Sequence, residues 1–379
     1  MEMILDITSL SRAGAGVGRD ASGRVVFVPF TAPGDKVRVE IVSEEKRYAD
    51  GRLLEIIAPS PDRVTPPCPV FGRCGGCEWQ HLPYSLQWNT KKGGVRHALA
   101  RVGIEAESIP LEELPADQVW EYRNRVQLRG FREEIGFYAR KSKTIVPIDK
   151  CYIARPELNA FLPDVKEGGR GRHREYKAEL EVFPTGAVTV AWNSGHSASG
   201  FRQVHDEQNE KLQAWVRKHL SGSPVLLDLY GGSGNLSLGI AERFGEVHTV
   251  DLTAPNERLP EHPANFTSHR SSVLPWLRGS AAIFSAVAKI DVILDPPREG
   301  LGSDLAPIVE ILKSLPVHRI LMVGCDADSW ARAVARLVKY GWEPSSVGAL
   351  DFFPQTHHVE ALAVLERKPT RGGPLDQAH

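Results

Sequence analysis

From about Gly200 onward the chain alternates short, almost wholly apolar runs with longer mixed stretches, and this alternation constrains the fold more than any other feature. The runs are PVLLDLY (224–230), EVHTVD (246–251), KIDVILD (289–295), HRILMVGC (318–325) and EALAVLE (360–366). Strands buried on both faces read as continuous apolar runs, and strands separated by helix-length segments assemble into a largely parallel sheet. Residues 200–379 therefore read as an α/β domain, ending in a tail, PTRGGPLDQAH, whose composition predicts disorder. Upstream, residues 1–60 carry short β-type runs, RVVFVPF and KVRVEIV, around the turn TAPGD, the pattern of a small β-barrel. Residues 61–199 open on a Cys-rich segment and a helix candidate, YSLQWNTKKGGVRHALARV. They continue in mostly β-type sequence, including LEVF and AVTVAW joined by a turn at Pro184–Gly186.

No run of about 18 apolar residues is present, and MEMILDITSL lacks the basic region and long apolar stretch of a secretory signal, so a cytoplasmic location and no membrane partner are expected. A formal net charge of -1 over 379 residues excludes a uniformly basic nucleic-acid binder. Any contact with nucleic acid must then come from local patches: Arg123, Arg125, Arg129 and Arg132; Arg140, Lys141 and Lys143; Arg170, Arg172 and Arg174. Each reads equally as solvated surface charge. The odd count of five cysteines points away from a disulfide framework. Cys68, Cys74 and Cys77 cluster, with Cys151 at a distance. Four thiolates suit zinc and an iron–sulfur cluster alike.

Ligands of open α/β sheets sit at the carboxyl ends of the strands. PVLLDLY runs into Gly231-Gly232-Ser233-Gly234-Asn235, a turn that lets a ligand approach the backbone. Ser237 occupies the place of the third glycine of a dinucleotide fingerprint, which disfavours a nicotinamide cofactor. Asp251 ends the second run, placed to accept from a ribose or to cap a turn. Asp295-Pro296-Pro297-Arg298 ends the third, with two prolines stiffening the carboxylate's position. Cys325 ends the fourth, where a thiol serves as nucleophile more readily than as core filler. The loop FFPQTHHVE delivers Glu360 to the same edge if the last strand runs antiparallel. A thiol and a carboxylate so placed match the needs of methylation at carbon 5 of uracil, a carbon that becomes nucleophilic only after covalent addition at carbon 6.

These motifs resemble the RNA uracil-5-methyltransferase family, in the branch that has a TRAM domain and an iron–sulfur cluster. The likeness spans nearly the whole chain. It implies an N-terminal TRAM barrel of the oligonucleotide-binding type, a central β domain and a C-terminal Rossmann-like methyltransferase domain using S-adenosylmethionine. It implies Cys68, Cys74, Cys77 and Cys151 as ligands of a [4Fe-4S] cluster, Cys325 as nucleophile and Glu360 as base. It places Gln203, Tyr230, Asn235, Asp251, Ser271 and Asp295 at cofactor positions, Ser272 being an alternative to Ser271. The expected partner of a monomeric enzyme is ribosomal RNA. The T-loop of transfer RNA is the alternative, and a non-catalytic RNA-binding descendant the third reading. Three departures stand out: Gly324-Cys325-Asp326-Ala327 replaces the family's Ser-Cys-Asn/Asp-Pro, Gly231 stands where the family has Cys, and Pro255, Pro260 and Pro263 exclude the family's helix after Asp251.

Overall fold

The computed structural model describes residues 1–193, 202–220, 222–255 and 262–368. The chain opens with strands β1 (Glu2–Asp6), β2 (Ser9–Leu10), β3 (Gly16–Arg19), β4 (Val25–Val28), β5 (Lys36–Glu44) and β6 (Tyr48–Ala58), followed by helix α1 (Tyr84–Arg101). Strands β7 (Leu111–Leu114), β8 (Arg125–Phe131), β9 (Glu134–Tyr138) and β10 (Ile145–Pro147) come next, then helices α2 (Pro156–Ala160) and α3 (Leu162–Gly169) and the hairpin β11 (Tyr176–Val182) and β12 (Val188–Trp192). Helix α4 (Asp206–His219) leads into β13 (Val225–Leu229), β14 (Glu246–Asp251), β15 (Phe266–Arg270), α5 (Val273–Phe284), β16 (Ile290–Leu294), α6 (Leu305–Ser314), β17 (Val317–Gly324), α7 (Ala327–Lys339), β18 (Trp342–Leu350) and β19 (Glu360–Arg367). Two compact units interleave along the sequence. The first takes Met1–Gly94, Pro115–Asn209 and Asp351–His358; the second takes Val95–Leu114, Glu210–Leu350 and the chain from Val359.

In the first unit, a six-stranded sheet of order β1-β5-β6-β4-β3-β2 holds the N-terminal core. Along β5 the valines at 37 and 39 point inward and pack with Leu5, Val26 and Val28, while Lys36 and Arg38 face out, as period-two patterning demands. The predicted turn at Thr31–Asp35 forms around Asp35, whose Oδ2 accepts from the Ala32 N–H at 2.6 Å. A second sheet, β10-β9-β8-β11-β12, carries the middle region. Its β11–β12 hairpin pairs Val182 with Val188, and Gly186 takes the left-handed conformation (φ 83°) that the turn requires.

The eight-residue connection Asp351–His358 is also part of this unit, and a buried ion pair fixes it. Lys91 Nζ donates to Asp351 Oδ1 at 2.6 Å and to the Phe353 carbonyl at 2.9 Å, and both charged side chains are fully shielded from solvent. Burial lowers the proton affinity of Lys91 while Asp351 raises it, so the pair is held as a pair or not at all.

The second unit is built on one eight-stranded sheet of order β15-β14-β13-β16-β17-β19-β18-β7. Strands β15, β14, β13, β16 and β17 are parallel, and β19 runs antiparallel to both β17 and β18. Strand order reverses on either side of β13, which creates the crevice where α/β sheets bind ligands. The five apolar runs read from sequence are β13, β14, β16, β17 and β19. Three strands escaped that reading: β15 and β7, which are short and lie at the sheet's two opposite edges, and β18, whose Pro344 and Gly348 mask its period. Between β14 and β15 the described residues hold no helix, as the prolines require. The tail from residue 369 and the composition change near residue 200 lie outside the described residues. Among the described residues no helix is long and apolar enough to cross a membrane.

Replacing Lys91 by Met is expected to destabilise the protein by about 3–5 kcal/mol, because Asp351 then remains buried without its partner. The double variant Lys91→Met, Asp351→Leu should recover most of that loss, and urea unfolding of the three proteins measures both effects.

Candidate active site

In the second unit the carboxyl ends of β13, β14, β16 and β17 carry Tyr230, Asp251, Asp295 and Cys325. Antiparallel pairing brings Glu360 to the same edge: Gly324 is opposite Ala361, so Cys325, one residue on, lies opposite Glu360. On its other side Glu360 pairs with Leu350. Asp295 follows Leu294, which pairs with Met322, and the Asp295 N–H donates to the Leu229 carbonyl at 3.3 Å.

Cys325 sits where β17 turns into α7. Asp326 caps that helix by accepting from the Ser329 N–H at 2.8 Å, so the thiol lies just before a helix N-terminus. Helix and strand approach so closely that a Cβ at Gly324 would stand 2.9 Å from Trp330 Cβ. Gly324 is therefore matched to Trp330, whose indole N–H donates to the Met322 carbonyl at 3.2 Å. Burial pushes the Cys325 thiol up to about 12, with the Glu360 and Asp295 carboxylates adding to it and Arg298 opposing. Glu360 is itself buried, and burial together with Asp295 drives its carboxyl well above the ordinary range. Asp295 is raised to about 7, first by burial and then by Asp228 and Asp251.

The glycine turn is packed as closely. Asp228, fully buried inside β13, accepts from Ser237 Oγ at 2.5 Å and lies beneath the turn, so a Cβ at Gly231 would come within 2.4 Å of its carboxyl and 2.5 Å of Thr249 Oγ1. No side chain fits at 231 while Asp228 stands there. Gly234 (φ 87°) is equally constrained, its Cβ position being 2.5 Å from the Phe266 ring. Tyr230 also holds a left-handed conformation (φ 66°), and burial pushes its phenol up to about 12. Gln213 donates to both Oδ1 (3.1 Å) and the carbonyl (3.0 Å) of Asn235, which fixes the far side of the turn.

The remaining cofactor candidates divide. One oxygen of Asp251 is occupied locally, Oδ1 accepting from the N–H and hydroxyl of Thr253, each at 2.6 Å, in the turn-capping role the sequence left open. Ser271 joins it through its N–H, which donates to the Asp251 carbonyl at 3.2 Å. Gln203 belongs to the first unit, where its carbonyl accepts from Asn124 Nδ2 at 2.9 Å. The sequence reading passed over Asp228, Thr249, Gln213 and Trp330. Asp228 was visible as a carboxylate within an apolar strand; the others carry no signal until the fold assembles them.

In the first unit Cys68, Cys74, Cys77 and Cys151 line a single cavity of about 190 Å³. Among the described residues no three His, Cys, Asp or Glu side chains form a group that could hold a metal ion. The surroundings are ordered nonetheless: the Gly76 N–H donates to Cys74 Sγ at 3.4 Å, and Asn159 brackets Cys151, accepting from its N–H at 2.8 Å and donating to its carbonyl at 3.0 Å. Burial pushes the Cys77 thiol up to about 12.

Asp228, Asp295 and Glu360 bind protons more tightly in the folded protein than in the unfolded chain, so their contribution to ligand-free stability is fullest at low pH and falls as pH rises from about 4 through about 7. Asp228→Asn should therefore stabilise the ligand-free protein at pH 8 by about 2–3 kcal/mol, at roughly 1.4 kcal/mol per pH unit, and give no gain at pH 4. Urea unfolding at the two pH values tests this.

Comparison with known proteins places these features. The TRAM domain family matches residues 2–54. An RNA methyltransferase of Bdellovibrio bacteriovorus is 31% identical, over 95% of this chain and 94% of its own length. A 23S rRNA (uracil-C5)-methyltransferase of Chromohalobacter salexigens is 28% identical, over 97% of this chain and 90% of its own. Among solved structures, the tRNA (uracil-54, C5)-methyltransferase of Pyrococcus abyssi, determined with S-adenosyl-L-homocysteine, has the same fold. It superposes with a TM-score of 0.70 at 24% identity, covering 96% of this chain and 99% of that one.

Proposed function

Because this chain belongs to the RNA uracil-5-methyltransferase family, we propose that it methylates carbon 5 of a uridine in ribosomal RNA, with Cys325 as nucleophile and Glu360 as base. The observation that carries this reading is the antiparallel pairing of Gly324 with Ala361, which sets a thiol against a carboxyl at one sheet edge. S-adenosylmethionine, when bound, supplies the methyl group on a positively charged sulfonium. The edge suits a cation, since carboxyl groups of Asp228, Asp251, Asp295 and Glu360 gather there, and a positive charge among them favours their ionised forms.

The residues then divide the work. The Cys325 thiol releases its proton to solvent as its sulfur bonds to carbon 6 of the uracil ring, and the carbon 5–carbon 6 electron pair moves onto carbon 5. Carbon 5, now nucleophilic, would take the methyl group that bound S-adenosylmethionine would supply. Glu360 then removes the proton from carbon 5, the ring double bond re-forms, and the thiolate leaves. A carboxyl with raised proton affinity is a stronger base than an exposed one, which suits abstraction from carbon. Tyr230, Asn235, Asp251, Ser271 and Asp295 belong to the cofactor pocket in this reading; Gln203 is carried by the family resemblance alone. The target base must leave its stack to meet the thiol, which an unpaired loop makes cheaper.

The same proposal assigns residues 1–60 and 61–199 to RNA contact and to a [4Fe-4S] cluster on Cys68, Cys74, Cys77 and Cys151, in a monomeric cytoplasmic enzyme. Support for the cluster is the convergence of four thiols on one cavity; its role here is to tie together the strands that frame it. Anaerobically prepared protein should absorb near roughly 400 nm and lose iron and sulfide together when Cys74 is changed to Ser. Stoichiometric zinc without that absorption would overturn the cluster.

Cys325→Ala should abolish both methylation and any covalent protein–RNA species. Glu360→Gln should instead accumulate a methylated adduct stable to denaturing gel electrophoresis, since addition and methyl transfer precede the step it blocks. A Cys325 variant that still methylates, or a Glu360 variant without adduct, overturns the assignment. Mapping 5-methyluridine in RNA from cells with and without the gene identifies the substrate: a site lost from ribosomal RNA supports the reading, and a site lost only from transfer RNA replaces it.

A further inference from the structure

Phe30 follows β4 into the turn at Thr31–Asp35 and holds a left-handed backbone (φ 66°), a conformation that a bulky side chain adopts only at a cost in energy. Its surroundings enforce it. Arg63 Nη2 donates to the Phe30 carbonyl at 2.7 Å, and Arg63 Nε donates to both carboxylate oxygens of buried Asp35, at 2.9 and 3.1 Å. The half-buried Phe30 ring meets Phe71 edge-on at 5.4 Å between centroids, and the Arg140 guanidinium lies over it, 5.5 Å from its centre. Arg140 arrives there because its segment packs against the Cys-rich one. The Gly75 N–H donates to the Tyr138 carbonyl at 2.9 Å, and the Arg140 N–H donates to the Arg73 carbonyl at 3.4 Å. All of these residues belong to the first compact unit.

The same packing sets Arg73 and Lys141 beside Arg140, with Lys143 close behind in the chain; all three are exposed and make no ion pair among the described residues. The carboxylates that could offset this charge are occupied, Asp35 by Arg63 and Glu78 by His357 Nδ1 and, at 3.4 Å, by Arg140 itself. The other two basic patches carry counter-charges: Glu181 pairs with Arg125 and Glu167 with Arg170, each at 3.0 Å. A ring kept against its backbone preference, with a guanidinium over it and cations beside it, has the make-up of a single-stranded nucleic-acid site, where bases stack on aromatic faces and cations hold phosphates. We propose that Phe30 and Arg140 form a stacking platform for an unpaired base of the RNA substrate, and that Arg73, Lys141 and Lys143 hold its phosphates. The inference deepens the reading of the substrate as RNA and rests on it. It accounts for the strain, since glycine would take the same turn at no conformational cost but would present no ring.

The test measures binding of the full-length protein to a fluorescein-labelled single-stranded polyuridylate of about 12 nucleotides, within the span of one oligonucleotide-binding fold, by anisotropy over a range of salt. Phe30→Gly should fold, because glycine accepts the turn, and should weaken binding about 5- to 100-fold while the slope of log affinity against log salt stays unchanged. Phe30→Trp should keep the affinity; Phe30→Leu, equally strained and apolar but without a stacking face, should lose it. Arg73→Ala, Lys141→Gly and Lys143→Ala should each weaken binding and reduce that slope by about 0.7, the share of one phosphate contact on a single strand. The same strand annealed to polyadenylate should bind wild type and Phe30→Gly alike, because its bases are already stacked. Wild-type affinity in Phe30→Gly, or in Phe30→Leu if the glycine variant does not fold, overturns the platform and leaves the RNA reading standing. An unchanged salt slope in all three charge variants overturns the phosphate contacts. Wild-type protein that binds neither strand nor duplex overturns the RNA reading itself, and this inference with it.

Discussion

The pairing of β19 between β17 and β18 governs which side chains gather at this sheet edge. In an all-parallel sheet the last strand would begin at the opposite edge and carry Glu360 away from the other strand ends. Running antiparallel, it begins at the edge where β17 finishes, so Cys325 and Glu360 meet. Burial and mutual repulsion then follow from that placement. Burial raises the proton affinity of Asp228, Asp295 and Glu360, with neighbouring carboxylates adding to it, and the thiol is held neutral among them.

Close packing explains why glycine stands at positions 231 and 324. At Gly231 the space a side chain would take belongs to the Asp228 carboxyl and Thr249; at Gly324 it belongs to Trp330. In each case a bulky partner and a missing Cβ form one unit, and neither half is interpretable alone. The first compact unit follows the same logic in polar form. Lys91 with Asp351, and Gln87 with Gln355, are buried pairs whose desolvation is tolerable only because each partner satisfies the other.

Much of the fold was legible. Five continuous apolar runs became five adjacent strands of the sheet, the α1 helix runs from Tyr84 to Arg101 within the stretch read as helical, and the Pro184–Gly186 turn closes its hairpin. Periodicity and turn chemistry are local properties, and these elements depend on little else. The strands that escaped, β7, β15 and β18, lie toward the two ends of the sheet, where one neighbour or partial exposure removes the need for a continuous apolar run. Among the site residues, Tyr230, Asp295 and Cys325 were legible as strand ends. Asp251 was legible too, but its capping of Thr253 was not distinguishable from ligand binding until the turn was seen.

The sequence by itself determined which residues end strands, which cysteines cluster, and which segment cannot be helical, because each is written in spacing and in the stiffness of proline. Tertiary structure alone decided that Glu360 faces Cys325, that Asp228 fills the space under the glycine turn, and that residues 351–358 pack with the first unit. The physical reason is the reach of the interactions. Hydrogen bonds and carboxylate repulsion act over a few ångströms between residues tens to hundreds of positions apart, and no local pattern in the chain records which of them will meet.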